Sequence, residues 1–515
     1  MNKSDLPNII RRRKPLAASL ALLLGALAAL AVWLLTVPPG PGLDPDSASY
    51  LGAATALAHG HGYRIPIANW RASDSTSALA HFPPGYPTAI AVPVALGADP
   101  TNAARLVNAL AAFVSIALAT WFVASVVGIV AAFVLALTLL VMHAFVIVHL
   151  SVLSEPMFLA SIVGAATAMY AYARAGDERS RLVAAAWSGI AAALAVLVRY
   201  AGISVVIAVG LWTLMSPGPL FIRIRRAIVA LMPAAVLFGA WVLRSYLTSG
   251  PRSIRTLGAY GGVRETMEMG VSTVVGWLVP LTSDDVLPGR GWIALLVLLL
   301  LAIVVMRGAR AARASGAGSA LAAVGLLAAS YLIVLMASRL LADPEIPFDE
   351  RILVPVFLLV ATLAALGAAA WARVSRTPLR IGAAVLLVAW LVAAGRATED
   401  DIEWLLDNGQ DFAQAQWTES PLLAWARTNA SRQPLYSNWP AAIVFHLHRP
   451  AREVPNDSDA RMLGAFADTV RVHHGIILAF DQPSPDQIGV PELTKAGRLR
   501  QVVRLGDGTV FAPAP

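Results

Sequence analysis

The sequence has 515 residues, of which 57% are hydrophobic and 14% are charged, and its formal net charge at pH 7 is +8. Apolar runs of about twenty residues recur along the chain, and this is the length that a helix needs to cross a hydrocarbon core of about 30 Å. The composition predicts a polytopic α-helical membrane protein, the clustering of arginines in short links between apolar runs argues against a nucleic-acid partner, and the absence of cysteine excludes disulfides and thiolate sites.

The first predicted element is an apolar stretch from about Leu16 to Val37, which follows the basic run RRRK at positions 11–14. It is longer than the core of a signal peptide, so we interpret it as an uncleaved membrane anchor. Basic residues favour the cytoplasmic side of a membrane. The amino terminus is therefore predicted to be cytoplasmic, and the loop after the first span is predicted to face outward.

Apolar runs predict eleven membrane spans in total. They cover residues 16–37, 104–126, 128–150, 155–174, 183–198, 200–215, 227–248, 291–306, 319–338, 352–371 and 380–396. Arginine-rich links at 174–181, 223–226, 307–313 and 373–380 all fall on the predicted cytoplasmic side, which makes the topology self-consistent. The segment 86–97 is too short to span and is predicted to be re-entrant or interfacial.

The same alternation places three longer stretches outside: about 38–103, about 249–290, and the tail. The tail from residue 397 has 15 acidic and 10 basic residues, a balance opposite to that of the inner links. Two helical patterns, a buried strand GIILAF and a hairpin around Asp507-Gly508 predict a small α/β domain. We therefore divide the chain into a membrane module, 1–396, which includes the outer loop 38–103, and an extracytoplasmic domain, 397–515.

Charged residues recur at the predicted outer ends of spans. Because removing a charge from water is costly there, their presence indicates a polar cavity on that side. They are Asp44, Asp46, Glu155, Arg199, Arg244, Asp343, Glu345, Asp349, Glu350 and Arg351. A carboxylate can take the proton of an attacking hydroxyl, and arginines can hold a leaving phosphate through bidentate bonds. This mixture of side chains suits the transfer of a sugar from a lipid phosphate.

Six short motifs occur in a characteristic order: PDSASYL with GHGY, then FPPGYP, LSEPMF, LVRYAG, WVLRSY and DERILVP. Together they resemble the GT-C superfamily of integral-membrane glycosyltransferases, nearest to the bacterial family 39 and RgtA-like group, relatives of protein O-mannosyltransferases and the lipid A aminoarabinose transferase. The resemblance covers about residues 1–396. It implies an inverting hexosyl- or pentosyltransferase of the bacterial inner membrane, with a polyprenyl-phosphate sugar as donor and a glycan, lipid or protein as acceptor.

The resemblance also implies a catalytic base in the first outer loop, four residues before a tyrosine. Asp46 stands four residues before Tyr50 and takes that role. The family usually has a glutamate where this chain has Ser47, so Asp44 either pairs with Asp46 or caps the helix that begins near residue 46. Asp46 is itself also a candidate for the N-cap.

For the donor phosphate, the resemblance implies contacts from Arg199, Arg244 and Arg351, although arginines at span ends also reach lipid head groups. Glu155 is either a second acid of the cavity or the first residue of a helix, where a negative charge is favourable. We interpret Asp349 and Glu350 as solvated loop charges. The four tail histidines lack the spacing of a metal site and are predicted to be surface or structural residues: His446, His448, His473 and His474.

The segment HFPPGYP is predicted to return the outer loop toward the membrane. Tyr50, His81 and Tyr86 are candidate substrate contacts, with the alternative that Pro-Pro-Gly only ends the loop. Trp70 and Tyr260, like Tyr86, are candidate walls for stacking on a sugar. No metal ligand is assigned and no cofactor is required, although Asp44, Asp46 and Glu155 could together hold Mg²⁺ or Mn²⁺ through oxygen ligands.

Two other functions fit a polytopic chain. A membrane transporter or lipid flippase would need ionisable residues near the middle of spans and interrupted helices in two corresponding halves. A scaffold protein of the cell envelope would be insensitive to replacement of Asp46. The placement of charges at outer ends favours the enzyme, whose expected partners are the donor, the acceptor and membrane lipids.

Overall fold

Helices form most of the chain, as its apolar runs predict. The computed structural model describes residues 6–250, 258–282, 287–313 and 316–514, with side chains from residue 15 onward. The basic run 11–14 that sets the predicted orientation therefore lies outside the described side chains, as do positions 251–257 and 283–286 of the predicted outer stretch 249–290.

The helices and strands alternate irregularly along the chain. The helices are α1 Leu6–Leu35, α2 Pro45–Ala58, α3 Gly85–Ala95, α4 Pro100–Val126, α5 Ile129–Leu140, α6 His143–Leu150, α7 Glu155–Arg174, α8 Glu178–Val198, α9 Ile203–Leu214, α10 Leu220–Ser249, α11 Val263–Leu278, α12 Arg290–Ala312, α13 Ala317–Leu341, α14 Glu350–Ala372, α15 Thr377–Asn408, α16 Ala415–Thr418, α17 Pro421–Asn429, α18 Pro440–Leu447, α19 Ala460–Val472 and α20 Val490–Thr494. The strands are β1 Arg64–Ile65, β2 Ile67–Ala68, β3 Ser77–Ala78, β4 Leu435–Ser437, β5 Ala451–Glu453, β6 Ile476–Phe480, β7 Leu499–Leu505 and β8 Gly508–Pro513.

Nine of the described helices are long and apolar enough to cross a membrane. The predicted span 128–150 is instead the pair α5 and α6, bent by 62°, which makes a tenth span if both halves cross together. The predicted span 200–215 is a single 3₁₀ turn followed by α9, whose twelve residues reach only about 18 Å. The multi-pass helical fold is confirmed, with nine or ten spans in the described ranges where the sequence predicted eleven.

The chain forms two compact units, and their boundaries differ from the predicted division at residue 396. The membrane unit contains residues 1–35, 81–86 and 105–404. The outer-loop unit contains residues 36–80, 87–104 and 405–515. Most of the loop 38–103, which the sequence analysis assigned to the membrane module, therefore shares a compact unit with the tail.

Small residues let helices of the membrane unit approach closely, as is common for helices packed in lipid. A methyl group added at Gly308 of α12 would lie 2.0 Å from the carbonyl oxygen of Gly367 in α14. The two helices thus meet backbone to backbone at this point, and no side chain fits between them.

Gly308→Ala is therefore expected to force α12 and α14 apart and to lower the free energy of unfolding by about 1–3 kcal/mol, the usual cost of overpacking. The measurement is thermal unfolding of the detergent-solubilised protein. Gly325→Ala in α13 is the matched control, because nothing lies within 4 Å of the added methyl group there. Equal melting temperatures for the two variants would contradict the close crossing.

The outer-loop unit contains a six-stranded sheet in the order β2-β5-β4-β6-β8-β7. The first four strands are parallel, and β8 and β7 add an antiparallel hairpin at the other edge. The predicted α/β tail and its hairpin are confirmed, with the turn one residue earlier, at Gly506-Asp507. Alternate residues of the central strands face opposite sides of the sheet, and each side has its own apolar core.

One strand of this sheet does not come from the tail. β2 belongs to the first outer loop and pairs in parallel with β5, with Ile67 opposite Ala451. The helix α2, which follows the first span, also contributes Ala48 to one of the two apolar cores. The loop that carries Asp44 and Asp46 thus shares a sheet and an apolar core with the tail domain.

Candidate active site

The two aspartates of the outer loop have different structural roles. Asp44 is the N-cap of α2: its Oδ1 accepts a hydrogen bond of 3.0 Å from the backbone N–H of Asp46. Pro45 is the first residue of the helix, where its missing N–H is not needed. The structure thus shows Asp44 as the cap and corrects the alternative in which Asp46 is the N-cap, while the pairing of the two carboxylates stays a prediction.

Asp46 lies in the first turn of α2 and is partly buried. The N-cap bond is made by Asp44, and Asp46 stands near the positive end of the helix dipole. Tyr50 lies one turn further along and is only 3% exposed. Tyr50, predicted as a substrate contact, is therefore a packed residue of this helix.

A buried carboxylate lies where α7 begins. Glu155 is the first residue of α7, and its side chain is 1% exposed. Its Oε1 atom is 2.6 Å from Nη1 of Arg199, at the end of α8, and 2.6 Å from Nε of Arg351, in the first turn of α14. Nη1 of Arg199 also donates a 3.1 Å hydrogen bond to Oγ of Ser154. Three distant parts of the sequence therefore meet at one carboxylate.

The ion pairs explain how Glu155 is tolerated in this position. A carboxylate taken out of water is costly unless it is paired and hydrogen-bonded, and two guanidinium groups meet that requirement. The arginine side chains remain 17% and 25% exposed, whereas Glu155 is covered. The arginines thus form the accessible side of the cluster, and each guanidinium has five N–H donors with which to hold an oxyanion.

Arg244, the third predicted arginine, has a different environment. Its guanidinium stacks over Trp241 of its own helix α10, with Cζ 4.9 Å from the ring centroid. Trp241 in turn donates a 3.2 Å hydrogen bond to the hydroxyl of Tyr200. This cation–π contact holds Arg244 along the surface of α10.

The predicted aromatic and histidine contacts divide into buried and exposed residues. Tyr86 is fully buried, and its hydroxyl donates a 2.9 Å hydrogen bond to Oδ1 of Asn108. Trp70 is 3% exposed and packs edge-on against Phe466. Neither ring has the open face that sugar stacking needs, so both predictions are corrected to core packing. His81 is exposed, and Tyr260 is 42% exposed.

The membrane unit contains a second polar cluster, which was not predicted from the sequence. His143, at the start of α6, has Nδ1 2.6 Å from Oδ2 of Asp401 and Nε2 3.6 Å from Oε2 of Glu350. Asp349 is the N-cap of α14, accepting a 2.9 Å bond from the N–H of Ile352. Asp349 and Glu350 thus stand at the start of a helix rather than in a loop, and Asp349 is exposed to solvent, as predicted.

Two of the four tail histidines are clearly structural, as predicted for the group. His446 is bonded at 2.9 Å to the carbonyl of Phe412, and its burial lowers the pKa of the imidazole. His473 is bonded at 2.7 Å to the hydroxyl of Tyr436, and burial lowers its pKa as well. In the ranges that the structure describes, no three His, Asp or Glu side chains are grouped so that they could hold a metal ion.

The chain is similar to known proteins in sequence over part of its length and in fold over most of it. The family model for dolichyl-phosphate-mannose-protein mannosyltransferases matches residues 74–223, a range that contains Glu155 and Arg199. ArnT from Cupriavidus metallidurans bound to undecaprenyl phosphate superposes with a TM-score of 0.58 at 14% identity, over 95% of this chain and 97% of that chain. The chain has the fold of the GT-C membrane glycosyltransferases. This confirms the fold that the resemblance implies.

A second GT-C structure agrees with the first. The archaeal oligosaccharyltransferase AglB from Archaeoglobus fulgidus, in complex with an inhibitory peptide and a dolichol-phosphate, superposes with a TM-score of 0.54 at 13% identity. That match covers 90% of this chain and 69% of AglB. No curated protein sequence matches this one. The likeness is therefore one of fold, and the chemistry has to be argued from this chain's own residues.

Proposed function

We propose that this protein is an inverting glycosyltransferase that moves a sugar from a polyprenyl-phosphate donor to an acceptor on the outer side of the bacterial inner membrane. The observation that carries the proposal is the pair Arg199 and Arg351, held by buried Glu155 within a GT-C fold. Partly exposed arginines fixed in this way are suited to a phosphate. ArnT with undecaprenyl phosphate and AglB with a dolichol-phosphate support a donor of this class.

In the proposed reaction, Asp46 takes the proton of the acceptor hydroxyl as that oxygen attacks the anomeric carbon of the donor sugar. The bond between the anomeric carbon and the phosphate oxygen breaks, and its electron pair leaves with the polyprenyl phosphate. Arg199 and Arg351 stabilise the negative charge that develops on this leaving group. One displacement with one general base inverts the configuration at the anomeric carbon.

We also propose that the reaction requires no divalent cation, because the two arginines supply the positive charge that a metal would otherwise bring to the leaving phosphate. Treatment with EDTA is expected to leave the transfer rate of the purified protein unchanged. The rate should be measured again after Mg²⁺ or Mn²⁺ is added back. A rate that falls on chelation and recovers with either ion would contradict this proposal.

The test of the function is transfer by the purified full-length protein from a panel of polyprenyl-phosphate hexoses and pentoses, with envelope glycans, lipids and peptides as acceptors. A glycosyltransferase forms a new glycosidic bond and releases polyprenyl phosphate. A transporter or flippase would move the donor across a vesicle membrane without making product. Movement without product would overturn the proposal.

A further inference from the structure

We infer that the tail domain is part of the catalytic scaffold: it holds the first outer loop in the conformation that presents Asp46, and Arg452 is a positioning residue for that loop. The inference deepens the proposed function, since it rests on Asp46 as the base. It assigns to the tail a role in the reaction that a separate domain for acceptor recognition would not have. Three sets of contacts within the outer-loop unit lead to it.

The first contact lies directly beside the candidate base. The N–H of Leu43 donates to the carbonyl of Gln410 at 3.4 Å, and the carbonyl of Leu43 accepts a 3.1 Å bond from the N–H of Phe412. Leu43 thus forms a parallel bridge with Asp411, a non-glycine residue held at a φ of 52°. Because Leu43 immediately precedes the N-cap Asp44, the tail fixes the chain where α2 begins.

The second contact connects the sheet to the body of α2. The carbonyl of Pro66 accepts a 2.9 Å bond from the N–H of Ala451, at the start of the β2–β5 pairing. Pro66 also packs against Gly52 of α2, where an added methyl group would lie 2.1 Å from the proline Cδ. The helix and the strand therefore leave no space between them, and a shift of β2 on the sheet must also shift α2.

The third contact is made by two consecutive residues of β5. Nη2 of Arg452 donates a 2.8 Å hydrogen bond to the carbonyl of Ser73, and the Arg452 side chain is buried, with the residue 5% exposed. The carboxylate of Glu453, the next residue of β5, lies close to the side chain of Asn69. Burying a guanidinium is costly, and here it secures the far end of the loop. β5 thus approaches both ends of the turn 69–73, and the hydrogen bond of Arg452 holds the end at Ser73.

Arg452→Gln keeps a polar side chain but removes the charge-assisted bond to Ser73. We expect the backbone amides of α2 and of residues 66–73 to exchange hydrogen about tenfold faster or more, as loss of such a bond permits local opening. Exchange in β4 and β6 should stay unchanged. With donor and acceptor, kcat should fall while KM for the donor is maintained, because a displaced base slows chemistry rather than donor binding. Arg500→Gln, on the exposed face of β7, is the matched control.

A covalent link provides a rescue, because the chain contains no cysteine. Ile67→Cys with Ala451→Cys places two thiols on directly opposite residues of β2 and β5. Ile67→Cys with Ile476→Cys is the control, since β2 and β6 are three strand spacings of about 4.8 Å apart and no disulfide can form. In the Arg452→Gln background, the first disulfide is expected to restore slow exchange in α2 and to restore kcat.

Unchanged exchange of α2 in Arg452→Gln would overturn the inference. Faster exchange throughout β4 and β6 would also overturn it, because Arg452 would then serve general stability rather than the position of the loop. The exchange measurement needs neither donor nor acceptor. Its outcome is therefore independent of whether Asp46 proves to be the base, and the failure of one proposal can be told from the failure of the other.

Discussion

Asp46→Asn is expected to lower kcat by about 10²–10⁴-fold, the range that a general base contributes. Asparagine has nearly the same shape but cannot accept the proton of the acceptor hydroxyl. The helix should stay intact, because the N-cap is Asp44 and not Asp46. KM for the donor should change little, since the donor phosphate is assigned to other residues. The measurement is steady-state transfer with the donor and acceptor found in the panel.

Asp44→Asn is the matched control, two residues away in the same loop. Asparagine caps helices about as well as aspartate, so this variant should keep both the fold of α2 and most of the activity. Equal transfer by Asp46→Asn and the unmodified protein would refute the assignment of the base. An equally large loss in both variants would show that the two carboxylates act as a pair, the alternative that the sequence left open.

The sequence predicted only in part that Asp44 caps α2 and that Asp46 lies in its first turn. The spacing of four residues to Tyr50 favoured Asp46, but a cap of Ser, Thr, Asp or Asn type fits either position. The deciding feature is Pro45, which is acceptable as the first residue of a helix and thus makes its predecessor the cap. That signal was present in the sequence and could have settled the question.

Other features depend on tertiary contacts that no local pattern reveals. β2 has two residues, and its partner β5 lies almost 400 positions later in the chain, so the strand has no recognisable period in the sequence. Tyr86 looked like a cavity residue until Asn108 supplied a buried partner for its hydroxyl. His143 stands in an apolar run, and only the approach of Asp401 makes it notable.

The sequence predicted in part that Glu155, Arg199 and Arg351 lie close together. The predicted topology puts all three at outer ends of spans, which would bring them to one side of the membrane but not to one point. The charge pattern is what makes their meeting favourable, because a carboxylate at a span end needs a cation when it is covered by protein. The sequence predicted Glu155 as an acid of the cavity or as the first residue of a helix; the structure confirms the helix start and adds the ion pairs to two arginines.

Because Glu155 pairs with both arginines, replacing the carboxylate and replacing an arginine are expected to have opposite effects on the binding of polyprenyl phosphate. Arg199→Gln and Arg351→Gln are each expected to weaken the binding of polyprenyl phosphate by about tenfold to a hundredfold, the worth of a charge-assisted hydrogen bond of about 1.5–3 kcal/mol. Glu155→Gln should bind it at least as tightly as the unmodified protein, because the carboxylate that competes for the guanidinium groups is removed. Binding can be measured by titration of the purified protein with polyprenyl phosphate at several salt concentrations.

Melting temperatures distinguish a cluster that binds phosphate from one that only stabilises the fold. Glu155→Gln should lower the melting temperature, since the two arginines lose their shared partner, and added polyprenyl phosphate should restore more of it than in the unmodified protein. Arg264→Gln, an exposed arginine that also pairs with a carboxylate, should change neither binding nor stability. Equal losses of binding in Glu155→Gln and the arginine variants would make the cluster purely structural. If the donor phosphate instead replaces the Glu155 carboxylate as partner of the arginines, Glu155→Gln will bind polyprenyl phosphate more tightly than the arginine variants and the unmodified protein.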